Sequence, residues 1–100
     1  MDADLIAIAR RLSEGGHLPG VYFDKQFGAL GTGESQNLFT RATEADIFFA
    51  VHNGIKAKEW PSSRIVYGLG ACWTVFGTAS SGTDTMALLR AYAAALEVGK

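Results

Sequence analysis

The chain has 100 residues, 48% of them apolar and 19% charged, with a formal net charge of −1. This composition excludes a polar disordered chain, and the near-zero charge balance disfavours both a strongly basic nucleic-acid binder and an acidic mimic of one. A chain of this length buries roughly two-thirds of its unfolded surface, so residues 1–100 are expected to form a single globular domain that needs no covalent staples.

Leu5, Ile8, Ala9 and Leu12 share one helical face, preceded by Asp2 and Asp4 and followed by Gly15-Gly16. The spacing predicts a helix over residues 3–14 that lies on the core and keeps Arg10, Arg11 and Glu14 in water. Acids come first here and Arg10-Arg11 only after the apolar residues, the reverse of a secretory signal, so a cytoplasmic setting is expected. Pro19-Gly20 then turns the chain into a short strand at Val21-Tyr22-Phe23-Asp24.

Gly28 to Ser35 is rich in glycine and reads as an exposed, mobile loop. A phosphate cradle is the sharper reading of such a segment. However, Gly31-Thr32-Gly33 is followed by Glu34-Ser35-Gln36, where phosphate motifs carry a lysine with a hydroxyl residue or open a helix. No cofactor is implied. Asn37 to Arg41 reads as a further strand.

Two periods compete between Asp46 and Trp60. Thr43 followed by Asp46 suits a helix start, with Ile47, Phe48, Val51 and Ile55 on one face. Asn53-Gly54 between two apolar segments is a strong hairpin signal, and a glycine inside a helix costs about 1 kcal/mol relative to alanine. The hairpin is therefore the expectation, with Lys56 to Trp60 as an edge strand guarded by its lysines.

No charged residue occurs between Arg64 and Asp84, but Gly68, Gly70, Gly77 and Gly82 interrupt the run, so it reads as buried strand rather than a membrane helix. Strands are predicted at Arg64–Leu69 and Ala71–Phe76, with Trp73 and Phe76 the largest buried groups and Cys72 a small core hydrophobe. As the only cysteine, Cys72 cannot form an intramolecular disulfide, which suits a reducing compartment. Thr78 to Gly82 reads as a loop. Thr83 or Asp84 caps a last helix with a stripe of Met86, Leu89, Ala93 and Leu96, ended by Gly99. The expected fold is α+β: an antiparallel sheet of four to six strands, covered on one face by the N- and C-terminal helices.

Reactive groups are sparse. Cys72 with His17 or His52 is the available nucleophile and base, and the core setting of Cys72 argues against that use. The histidines lack metal-ligand spacing, and Asp2, Asp4, Asp24, Glu34, Glu44 and Asp46 are scattered through caps and loops, so no catalytic or metal site is assigned. Lys56, Lys58, Trp60, Arg64 and Tyr67 combine positive charge with aromatic surface, the residue types of protein hot spots and of single-stranded nucleic-acid sites. The protein partner is preferred over nucleic acid, and no membrane association is expected. The expectation is a small non-enzymatic protein-binding domain (an inhibitor, adaptor or accessory subunit, phage or mobile-element inhibitors being one such class). A small-molecule site or enzyme near the glycine-rich loop and His52, and a self-assembling component forming a homo-oligomer, are the alternatives.

Overall fold

Asp2 starts the first helix by accepting the Asp4 backbone N–H on its carboxylate at 2.7 Å. In the computed structural model, which describes residues 2–33 and 39–99, this helix, α1, spans Ala3–Glu14 and buries Leu5, Ala9 and Leu12. It stops where glycine permits a left-handed residue: Gly16 has φ 77°, its N–H donates to the Ser13 carbonyl at 3.0 Å, and the His17 N–H donates to the Leu12 carbonyl at 2.9 Å. Those two bonds make a Schellman stop.

Strands β1 (Val21–Asp24), β2 (Ala29–Thr32) and β3 (Thr40–Arg41) form an antiparallel sheet in the order β1-β2-β3. The expected glycine-rich loop is therefore corrected at residues 29–32, which are strand. Gly31 is required there by packing, because a Cβ would lie 2.5 Å from the Phe39 ring. Gly28 and Gly33 flank that strand, while Glu34-Ser35 and the start of the strand predicted at Asn37 lie outside the described residues.

The hairpin expected at Asp46–Trp60 is overturned: Glu44–Ala57 is one helix, α2. Its start is a capping box. Thr43 Oγ1 accepts the Asp46 N–H at 3.2 Å while Asp46 Oδ2 accepts the Thr43 N–H at 2.8 Å. Ile47, Ala50, Val51, Gly54 and Ile55 are its buried residues, spaced as one helical stripe once alanine and glycine are counted as apolar. Gly54 sits in that stripe because Tyr92 and His17 approach its backbone too closely for a side chain.

Strands β4 (Ser62–Tyr67), β5 (Gly70–Val75) and β6 (Thr78–Gly82) form a second antiparallel sheet in the order β4-β5-β6. Both turns are two residues long. Gly68-Leu69 has a positive φ only at Gly68, at 53°, whereas Phe76 and Gly77 both have positive φ, at 49° and 80°. These are the signs of the two primed turn types that match strand twist. Residues 78–82, expected as a loop, are thus a strand whose small residues complete the sheet.

Helix α3 (Asp84–Val98) follows the Thr83 N-cap and ends at Gly99. Ala87, Ala91 and Ala95 are fully buried along it, and the alanine stripe lets neighbouring elements approach closely. The fold is α+β, with three helices and two three-stranded sheets among the described residues rather than one sheet under two helices. α1 packs on β1 and on α3, α3 covers β5 and β6, and α2 lies against α3. The core joins these parts through Leu5, Ile47, Val51, Val75, Leu88, Leu89 and Tyr92. The molecule is a slab of 39 × 30 × 17 Å, thick enough for one helix layer on one sheet layer.

Candidate recognition surface along α2 and β4

The sequence of β5 alternates as a half-buried strand does: Ala71, Trp73 and Val75 are buried against the helices, while Gly70, Cys72 and Thr74 face the other way and are half-buried. Cys72 is therefore on the outer face of the sheet and not in the core, as its apolar neighbours had suggested. Strand β4 pairs with β5 along its whole length, from Ser62 opposite Val75 to Tyr67 opposite Gly70, yet every one of its residues is exposed. Arg64 and Val66 share the helix-covered side with Trp73 and Ala71, but both are exposed at its rim. Ile65 and Tyr67 share the outer side with Cys72 and Gly70.

Arg64 is tied inward. Its Nη1 lies 2.9 Å from Asp84 Oδ2, and its guanidinium lies 5.6 Å from the centre of the Trp73 ring. The same carboxylate accepts the Trp73 indole N–H at 2.6 Å on Oδ1. Asp84, in the first turn of α3, thus joins α3 to β4 and β5 while its charge complements the helix N-terminus. The ion pair is half-exposed and by itself contributes at most about 1 kcal/mol. The indole contact matters more, since a buried N–H without a partner costs about 1–3 kcal/mol.

Lys56 lies in the last turn of α2 and Lys58 is its C-cap. Lys58 Nζ stands 5.1 Å over the Trp60 ring, a cation–π contact that turns the charge back onto the molecule. Trp60 itself is half-buried, with its ring 4.8 Å from Phe76 and 6.4 Å from Tyr92. An open depression of about 510 Å³ beside it is lined in part by Phe48, Phe49, His52, Lys56 and Ser62. Phe49 is 65% exposed. His52 packs its ring 4.9 Å from Phe48 and 5.3 Å from Trp73.

Of the five residues singled out from sequence, the structure brings Lys56, Lys58 and Trp60 to the end of α2, where Ser62 at the rim of the depression leads into β4. Arg64 and Tyr67 lie further along that strand, on opposite sides of it. The lysines do not guard a sheet edge, because they are on a helix; the strand that is at the edge carries Ile65, Val66 and Tyr67. Of the residues in the second reading, Gly31 lies in β2 beside Phe39, and His52 lies on α2 against Phe48 and Trp73. Sequence reasoning missed Ile65, Val66 and Leu69 as surface residues. Leu69, at the tip of the β4–β5 turn, is fully exposed.

No protein-family model matches the sequence, and no curated protein and no solved structure is significantly similar to it.

Proposed function

We propose that the chain is a small non-enzymatic protein-binding domain whose recognition surface runs from the last turn of α2 onto β4. The observation that carries this reading is the exposure of all six β4 residues, three of them large and apolar, on an edge strand. Natural edges are guarded by lysine, proline, bulges or a covering element. β4 has one charge, Arg64, and that charge is folded onto Asp84. The opposite edge of the same sheet, β6, is made of threonine, alanine, serine and glycine. An exposed apolar edge suits strand addition by a protein partner, with backbone hydrogen bonds for affinity and alternate side chains for selectivity. Lys56 and the exposed Phe49 extend the same surface with the mixed aromatic and cationic character of binding hot spots.

The test is affinity capture by the tagged protein, read by quantitative mass spectrometry beside Tyr67→Ala and Lys56→Glu variants. Both residues are exposed, so both variants keep the fold within about 0.5 kcal/mol. A stoichiometric protein retained by the parent and depleted by either variant is the expected result. Equal recovery in all three samples removes this surface from the function. Trp60→Ala is a poorer probe, because Trp60 packs on Phe76 and Tyr92 and its loss weakens the fold as well as the surface.

A further inference from the structure

The geometry points to a second copy of this chain as the occupant of the β4 edge, the two β4 strands pairing antiparallel about a two-fold axis at Ile65 to give one continuous six-stranded sheet. This rests on the reading of β4 as a recognition surface and names what covers it.

The two-residue turn at Gly68-Leu69 makes Tyr67 and Gly70 a hydrogen-bonded pair, and the ladder alternates from there. Ile65 and Ser63 consequently spend their backbone groups on β5. Ser62, Arg64 and Val66 turn theirs to the open edge. A strand that pairs with its own copy must do so in a symmetric register, and few such registers suit these residues. Centring on Arg64 sets two arginines directly opposite, which is destabilising. Centring on Ser63 joins serines and leaves the apolar end uncovered. Centring on Val66 runs the ladder into the turn after one bonded pair.

Centring on Ile65 has none of these faults. Arg64 then meets Val66 of the second copy, and the symmetric pair repeats this, so both outward residues exchange both backbone hydrogen bonds. Ile65 meets Ile65 at the close, non-hydrogen-bonded spacing. Tyr67 lies opposite position 63 and within diagonal reach of position 65, a distance aromatic side chains bridge. Each Arg64 keeps its own Asp84 as counter-ion, so no unpaired charge enters the joint.

The exposed apolar surface is large for a monomer. Ile65, Val66, Tyr67 and Leu69 are exposed to 68, 61, 52 and 104%. At roughly 150–200 Å² for a whole side chain of this kind, they present on the order of 500 Å². The largest apolar patch of an ordinary monomer is about 300–600 Å², and a stable interface takes about 800 Å² from each partner. The patch is thus at the upper end for a monomer and below the standard interface, which fits a dimer that depends on concentration. Two-fold dimers are the commonest closed assembly, and this one removes both apolar edges at once.

The experiment measures the mass of the full chain against concentration by light scattering and sedimentation, for the parent and for Ile65→Lys. A dimer in the parent, weakened about tenfold or more when two lysines replace the central contact, is the expected result. Circular dichroism checks that the variant is folded. The register is read separately in a Cys72→Ser background. Ile65→Cys should form an intermolecular disulfide on mild oxidation, since facing Cα atoms about 4.5 Å apart are within disulfide range. Ser63→Cys should not, because its copy lies four positions away, roughly 13 Å along the strand. A monomer at every concentration, a dimer indifferent to Ile65→Lys, or crosslinking at position 63 in place of 65 overturns the proposal. If it is overturned while Ile65→Lys abolishes capture of a different protein, the edge recognises that protein and the broader reading stands. If capture is also unchanged, both fall.

Discussion

Gly54 and Glu59 lie five residues apart at the end of α2, and each stands where the other residue type is ordinarily found. Gly54 is inside the helix and buried. Glu59 is just past the helix in a left-handed conformation, φ 57°, where glycine is the usual occupant. The two regions differ in what fixes the backbone. At Gly54 the missing side chain makes room for the Tyr92 hydroxyl, which donates to the His17 carbonyl at 2.8 Å and ties α3 to the end of α1. Beside Glu59, the Trp60 ring packs on Phe76 and Tyr92, and we expect this packing to hold the chain there. Glycine serves close approach in one place, and in the other a residue with a Cβ takes a glycine-like conformation beside packed aromatic rings.

The largest effect expected from breaking this contrast is at Gly54. Alanine there gains about 1 kcal/mol of helix propensity. Against that, its Cβ would lie 2.5 Å from Tyr92 Oη and 3.0 Å from the His17 carbonyl oxygen. Overpacking of this kind costs about 1–3 kcal/mol, and displacing the hydroxyl forfeits a hydrogen bond of about 1 kcal/mol. Gly54→Ala is therefore expected to lose about 2 kcal/mol in urea unfolding. Combined with Tyr92→Phe, which removes the atom it strikes, the loss should be smaller than the sum of the two single losses. A variant more stable than the parent would show that the close approach is not rigid.

Tyr92→Phe alone is the next in size. It leaves the His17 carbonyl without its donor and should cost about 1 kcal/mol at neutral pH. Burial raises the Tyr92 hydroxyl above its ordinary value near 10. As pH climbs past about 10 the unfolded chain gives up this proton while the folded chain keeps it, so the folded state binds more protons and stability falls with pH. The phenylalanine variant has no such proton. Its stability should fall less steeply above pH 10, narrowing the gap to the parent, and parallel alkaline limbs would show that Tyr92 is not the group responsible.

The same contrast explains what could be read from the sequence. α1 and α3 were legible because their apolar spacing agrees with their capping residues: Asp2 and Gly16 at the ends of one, Thr83 and Gly99 at the ends of the other. α2 was not, because Asn53-Gly54 reads locally as a turn while the reason for Gly54 is Tyr92, thirty-eight positions away. The division into two sheets was hidden for a related reason. Strand order depends on non-local pairing, and β6 has too little side chain to announce itself. For the surface, Lys56, Lys58, Trp60, Arg64 and Tyr67 stood out as residue types, but Ile65 and Val66 looked like core. Their exposure follows from β4 being an edge, which no local pattern states.

The smallest effect, and the one opposite in sign, is at Glu59. The end of α2 carries the same two bonds as the end of α1: the Glu59 N–H donates to the Lys56 carbonyl at 3.0 Å and the Trp60 N–H to the Ile55 carbonyl at 3.3 Å. α1 makes this stop with Gly16, whereas α2 makes it with a residue whose Cβ disfavours left-handed geometry by about 1–2 kcal/mol. Glu59→Gly should relieve that strain, offset in part by the greater freedom glycine gives the unfolded chain, for a net gain of about 0.5–1 kcal/mol. Since Trp60 holds the geometry, its fluorescence should not change. A gain with unchanged emission means that packing at Trp60 imposes the conformation and Glu59 only tolerates it. A loss, or a shifted emission, would mean that the Glu59 side chain takes part in placing Trp60, and the difference between the two helix ends would then lie in the acid itself.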